Sequence, residues 1–333
     1  MFWMFPALLA ALLAALDAAL LRRFAGDLPP ARMVAYPVFW SMPPFLALLA
    51  ARGLPDLPPS FWTATLAAVP VNMAGHLLTA WAVRLSPVSR TVPYLCFSPA
   101  FVVLNEYLLL GVTPRPAGVA GVLLVVAGSW VLNADGIGGG GNGAAAGINA
   151  SLWARVLRPF RTLAAERGSL IMLGVALLWS LGSVLNRQMV LHAPPAVAGG
   201  VFFAIYGPVM LAALMLFGGV RPRMLFDRPL RGMTMGAVLF LASYVHFAAM
   251  SLTTAANMIA VKRLDGVFAV LFDRLAARVR ASGRDVAAGT QVGDSARPVR
   301  EVREVRAVSE VRDGRLPGAA LMAAGAALVV MAS

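Results

Sequence analysis

Apolar residues run along this chain in ten long blocks separated by short stretches rich in arginine, proline and glycine. The blocks fall at 2–21, 34–51, 60–83, 86–111, 116–134, 169–190, 196–218, 232–251, 254–272 and 316–333. Crossing the hydrocarbon core of a bilayer takes roughly 20 apolar residues in a helix. Turn chemistry such as Asp27-Leu28-Pro29-Pro30 and Gly53-Leu54-Pro55-Asp56 punctuates the gaps. Several blocks carry internal proline or glycine, which membrane helices tolerate. The pattern predicts an all-α membrane protein with ten transmembrane helices.

Composition agrees. Of the 333 residues 59% are hydrophobic and 13% charged, and mean hydropathy is +0.77. Soluble domains carry about 25% charged residues, so 15 acidic and 28 basic groups could not wet the surface of a 35.0 kDa soluble protein. The net charge of +13 does not point to nucleic acid, because every basic residue except Lys262 is an arginine and most lie between apolar blocks.

Numbering those gaps one to nine, the odd loops hold Arg22, Arg23 and Arg32, then Arg84 and Arg90, then Arg155, Arg158, Arg161 and Arg167. Loop seven adds Arg221, Arg223, Arg228 and Arg231, and loop nine is richer still. Even loops hold only Arg52, Arg115 and Arg187. The positive-inside rule then predicts cytoplasmic odd loops, both termini outside, and a multi-pass protein of the cell or inner membrane. The first apolar block lacks a positive region before it, so it reads as a retained helix rather than a signal peptide. One cysteine, Cys96, excludes an intrachain disulfide and a cysteine-rich metal cluster.

An internal repeat divides the chain. Arg22 precedes Pro29-Pro30 as Arg187 precedes Pro194-Pro195, and Gly121 and Gly128 of block five correspond to Gly318 and Gly325 of block ten. The organisation predicted is a first five-helix repeat at 1–134, a Gly-rich and basic cytoplasmic linker at 135–167, and a second repeat at 168–333. A charged disordered insertion at about 276–314 interrupts the second repeat. An odd number of spans per half turns the two halves upside down relative to each other, the inverted architecture of secondary transporters.

The run Leu85-Ser86-Pro87-Val88-Ser89, continued through Tyr94 to Phe101 and followed by Gly118-Val119-Ala120-Gly121, resembles the end of an EamA repeat. So does Ala260-Val261-Lys262-Arg263-Leu264 with Leu316-Pro317-Gly318. Arg167-Gly168-Ser169 through Trp179-Ser180 resembles the opening of a second such unit. The resemblance implies a ten-helix member of the drug/metabolite transporter superfamily, in which export is the usual direction. One departure is Leu110-Gly111-Val112, where the family often carries Leu-Gly-Glu.

Ionisable groups at membrane depth are costly and by default mark a pathway or a buried partner. Lys262 and Arg263 sit near the middle of block nine, and Lys262 is the only lysine in the chain. They are the leading candidates to draw an anionic part of a substrate into a central cavity, with an ion pair to Asp265 as the structural alternative. His246, Trp179 and Tyr94 are further substrate-binding candidates. Asp17, Glu106 and Asp265 are the carboxylates available for coupling to protons. Glu106 reads as a surface group near the outer interface, and Asp17 has Arg22 within reach as a salt partner. Three histidines without convergent carboxylates make no metal site, and no cofactor is expected.

No Walker sequence follows the glycine run at 136–141, so ATP does not drive the protein. The functional expectation is a secondary transporter of a small metabolite by alternating access, in a lipid bilayer. Proton or ion coupling and a homodimer are both compatible with it. A membrane scaffold built on the charged insertion is the first alternative, and an integral membrane transferase the second. An enzyme is not expected, since the loops outside the insertion are nearly bare of acid.

Overall fold

The structure, a computed structural model, describes residues 2–86, 91–137, 166–269, 271–272 and 317–332. Most of the Gly-rich linker (138–165) and the insertion at 276–314 lie outside the described residues. The main α-helices among the described residues are, in order, α1 Met4–Ala25, α2 Pro30–Arg52, α3 Pro59–Leu85, α4 Ser98–Leu110, α5 Pro116–Ile137, α6 Arg167–His192, α7 Pro195–Phe217, α8 Pro229–Leu252, α9 Ala255–Lys262 and α10 Pro317–Ala332. Proline occupies the first position of α2, α3, α5, α7, α8 and α10. That place suits it, because its fixed φ is helical and its missing N–H would have had no intrahelical partner. Glycine closes α4: Gly111 takes φ +66° and donates to the Tyr107 carbonyl.

Among the described residues seven stretches are long and apolar enough to cross a membrane. They are α1, α2, α3, α6, α7, α8, and α4 joined to the turn before it (Pro93–Leu110). The apolar parts of α5 and α10 (Pro116–Leu132 and Pro317–Ala332) are shorter. The chain is a multi-pass, all-α membrane protein. Large apolar side chains face outward, among them Phe5, Leu66, Trp81, Leu108, Leu216 and Phe217, which in water would be a large exposed patch and in lipid is the ordinary surface.

The ninth block, predicted as one span, is broken. α9 ends at Lys262, Arg263 and Leu264 form a turn, and helix resumes at 265–269. Across the break the backbone uses tighter i→i+3 bonds, Leu264 N–H to Val261 O at 3.0 Å and Val267 N–H to Leu264 O at 2.9 Å. The corresponding place in the first repeat, Val92–Phe97, is a 3₁₀ turn leading into α4.

The packing pairs helices across the two halves of the sequence. α3 lies along α6, α1 along α8, and α2 between α7 and α8. The α2–α7 seam is aromatic, with Phe45 stacked on Phe203 at 4.2 Å between centroids. α5 and α10 cross antiparallel through glycines. A Cβ on Gly128 would stand 2.7 Å from the Gly318 carbonyl oxygen, and one on Gly121 2.8 Å from that of Gly325. Loops one and seven meet at one end, where Trp40 Nε1 donates to Leu225 O at 3.1 Å and Asp27 pairs with Arg228 at 2.8 Å. Tyr36 reaches the same loop, its hydroxyl donating to the Met224 carbonyl.

Candidate functional site

A cavity of about 400 Å³ sits where the two halves meet. Its aromatic wall is built by α3, α6 and α7. His76 lies edge-on to Trp179 with centroids 4.8 Å apart, and Tyr206 stacks on Phe202 at 5.1 Å. Gly75 makes room for this wall, since a Cβ there would stand 3.3 Å from the Trp179 ring. The rest of the lining includes Asp17 of α1, His246 of α8, Lys262 at the end of α9, and Arg263 and Asp265 just beyond it. Lys262 Nζ lies 3.3 Å from His246 Nδ1, and its charge interacts with those of Asp265, Arg263 and Asp17.

Among the described residues, three that line the cavity each carry a buried polar atom without a hydrogen-bond partner: Ser98 Oγ, Asn186 Oδ1 and Tyr206 Oη. Leaving such an atom unpaired costs about 1–3 kcal/mol in a protein interior. Atoms of this kind around an open volume are placed for a polar ligand or for water. The lining therefore combines both charge signs, unpaired acceptor and hydroxyl atoms, and a flat aromatic face.

Lys262, Arg263 and Asp265 sit at the break in the ninth block. Asp265 Oδ1 accepts from the Gly266 N–H at 2.8 Å, fixing the turn just beyond Arg263. Irregular backbone at membrane depth is tolerated where it lines a cavity, and discontinuous helices form the binding sites of many transporters.

Six of the candidates named from sequence thus share one cavity: Lys262, Arg263, His246, Trp179, Asp17 and Asp265. Two do not. Tyr94 is fully buried and packs edge-on against Trp130 at 5.7 Å, away from the cavity lining. Glu106 is 2% exposed, so the sequence reading of a surface carboxylate is corrected. It is buried because both its oxygens accept backbone N–H groups of α9, Ala255 at 2.7 Å and Ala256 at 2.9 Å. The Lys262 ammonium makes its hydrogen-bond contact with His246, and Asp265, its expected ion-pair partner, acts on it through charge. Sequence reasoning passed over Asn72, Ser98 and Asn186 as cavity groups. Their signal was a lone amide or hydroxyl inside an apolar span.

Two separate stretches, residues 1–134 and 166–290, match the EamA-like transporter family. The chain belongs to the EamA-like transporter family. No curated protein matches it significantly. A solved crystal structure shares 22% identity, covers 100% of this chain and 99% of its own, and superposes with a TM-score of 0.65, which shows a common fold. Membership carries the general function of a non-catalytic secondary transporter embedded in lipid and moving small molecules. Among the described residues of this EamA-family chain, no three His, Cys, Asp or Glu side chains converge on a metal position.

Proposed function

We propose that this chain exports a small solute carrying both charge signs and a flat apolar part, by exposing one central site alternately to the two sides. It does so as ten spans in two inverted five-helix halves. The observation that carries the reading is the composition of the cavity. Lys262 and Arg263 line the same space as Asp17 and Asp265, together with an aromatic wall. Balanced charges in a low-dielectric site hold a dipolar solute better than a net ion, whose counter-charge would remain unpaired.

Several features support the inverted arrangement. The pairing of α3 with α6 has its counterpart in α1 with α8 when the halves are exchanged. The Gly121–Gly325 approach has its counterpart in Gly318–Gly128. The cavity extends toward Leu21, Met33 and Val34, at the end where loops one and seven lie. The arginine distribution favours a cytoplasmic place for that end, and a cavity reaching toward it supports loading from within. Asp17 and Asp265 are the carboxylates through which proton coupling would act.

The test is an untargeted comparison of solutes inside and outside cells with and without the protein, followed by counterflow of each differing solute in vesicles. The expected result is a zwitterionic or mixed-charge solute that accumulates inside when the protein is absent or carries Lys262→Met. Identical solute profiles in all three cell lines would overturn the proposal.

A further inference from the structure

A second cavity, of about 510 Å³, lies at the opposite end of the molecule, among Trp3, Thr113, Arg115, Arg187 and Thr254. No residue lines both cavities. Two helices pass from one to the other: on α9 Ala256 and Asn257 line the outer space while Ile259 and Lys262 line the central one, and on α6 Arg187 lines the outer space while Asn186 lines the central one. On the α9 side the septum between them is its first turn, with Ala255 and Met258 fully buried, packed on α4.

The first turn of any helix leaves N–H groups without intrahelical partners. In α9 these are claimed from outside. Glu106 of α4 takes Ala255 and Ala256, and the Thr254 hydroxyl takes Asn257 at 3.3 Å. On the other side of the same corner the Arg187 guanidinium donates to the Met250 carbonyl at the end of α8. Its charge interacts with that of Glu106. The α8–α9 corner is therefore gripped from both flanks, by an acid on the helix that starts and a base on the helix that ends.

α9 has eight residues, about 12 Å at 1.5 Å per residue. Whatever fixes Ala255 also fixes Lys262 and Arg263 two turns on. We infer that Glu106 is a positioning residue that latches the septum: its double hydrogen bond keeps the central cavity shut toward the even-loop end. Releasing it frees α9 to swing and opens the site to that side. The inference rests on the alternating-access reading above and adds the contact that must break.

The test uses the full chain in vesicles with Cys96→Ala and one probe cysteine, Ser183→Cys, in the central cavity. A membrane-impermeant maleimide is applied from each side in turn. The expected result for the parent is labelling from the odd-loop side. Glu106→Gln keeps one acceptor but turns an amide N–H₂ against the second backbone N–H. It should raise labelling from the even-loop side about 10-fold, the shift that losing one hydrogen bond to a charged group produces. Ala255→Pro removes one donor while leaving the acid. Proline fits this first helical position, and Thr254 before it already has ψ 155°. It should shift labelling in the same direction, and Glu106→Asp should shift it less than Glu106→Gln. A purely structural cap would lower thermal stability without changing the side of labelling. Unchanged sidedness in whichever of Glu106→Gln and Ala255→Pro folds would overturn the latch and leave the transporter reading standing. Parent protein labelled from neither side, or equally from both, would overturn the reading and the latch together.

Discussion

The Lys262 ammonium and His246 Nδ1 lie 3.3 Å apart, tying α9 to α8 across the wall of the central cavity. An ammonium has only donors, so Nδ1 must be the acceptor and the His246 proton must sit on Nε2. His246 thereby fixes where the single lysine of the chain points. Lys262→Met should lower flux about 10-fold or more, with the variant still folded and inserted. Lys262→Arg should not restore it, because a planar guanidinium fork cannot take the place of a compact ammonium. His246→Asn, which offers an oxygen near the Nδ1 position, should retain more flux than His246→Leu. Flux in vesicles and thermal stability, measured in parallel, check the set.

The crossing of α5 and α10 depends on absent side chains. A Cβ on Gly128 would lie 2.5 Å from the Met322 amide nitrogen, and one on Gly318 2.6 Å from that of Leu132. Backbone cannot yield as a flexible side chain can, so Gly128→Val or Gly318→Val should destabilise by about 1–3 kcal/mol through overpacking. Gly118, in the same helix, has nothing within 4 Å of a built Cβ. Gly118→Ala should be neutral or stabilising by up to about 1 kcal/mol. Reversible unfolding in mixed detergent, read for all three, tests the contrast.

Those glycines were legible because their spacing repeats in both halves, and helix is found within each of the ten apolar blocks because hydropathy is a local signal. The break after Lys262 was not legible. Val261-Lys262-Arg263-Leu264-Asp265 continues a hydrophobic run well enough to read as one span. The turn is closed locally instead, by the Asp265 carboxylate accepting the Gly266 N–H and by i→i+3 backbone bonds, which hydropathy does not register. Glu106 was misread for a related reason. Its partners Ala255 and Ala256 are 149 and 150 positions away, and no window along the chain contains them. Tyr94 carried the right chemistry for a binding wall, but packing against Trp130 decides its place, and periodicity in a fully apolar span does not distinguish inward from lipid-facing.

Asp27 and Arg228 join loops one and seven at 2.8 Å. The Arg228 guanidinium bonded to it holds the Asp27 carboxyl below its ordinary value of 3.8. A depressed carboxylate pKa stabilises the folded form above the ordinary value, and that contribution fades as pH falls through the lowered one. Both side chains are largely exposed, so salt screens the pair and Arg228→Ala should leave stability near neutral pH little changed. The stronger consequence is topological. Cysteines replacing Asp27 and Gly219 should react with an impermeant thiol reagent from one side of the membrane, and a cysteine replacing Asp56 from the other. Asp27 and Gly219 labelled from opposite sides would contradict the packing of the two loops.

Asp17 tests the balance of charge in the cavity. It shares the lining with Lys262, and the two charges interact. Asp265 differs, since one of its oxygens already accepts the Gly266 N–H. Asp17→Asn keeps the size of the side chain and removes one negative charge, leaving Lys262 and Arg263 opposed by Asp265 alone. A net-positive site in low dielectric favours an anion over a dipolar solute. Transport of a mixed-charge solute should therefore fall about 10-fold, while competition by its anionic analogue should strengthen. Asp265→Asn should have the smaller effect on both. Were Asp17 only a salt partner of Arg22, its loss would lower stability and leave the preference between solute and anion where it was. Competition curves for matched zwitterionic, anionic and cationic analogues, measured on vesicles with equal protein, distinguish the two roles. The direction in which selectivity moves, more than the loss of rate, shows whether the carboxylate faces the cargo.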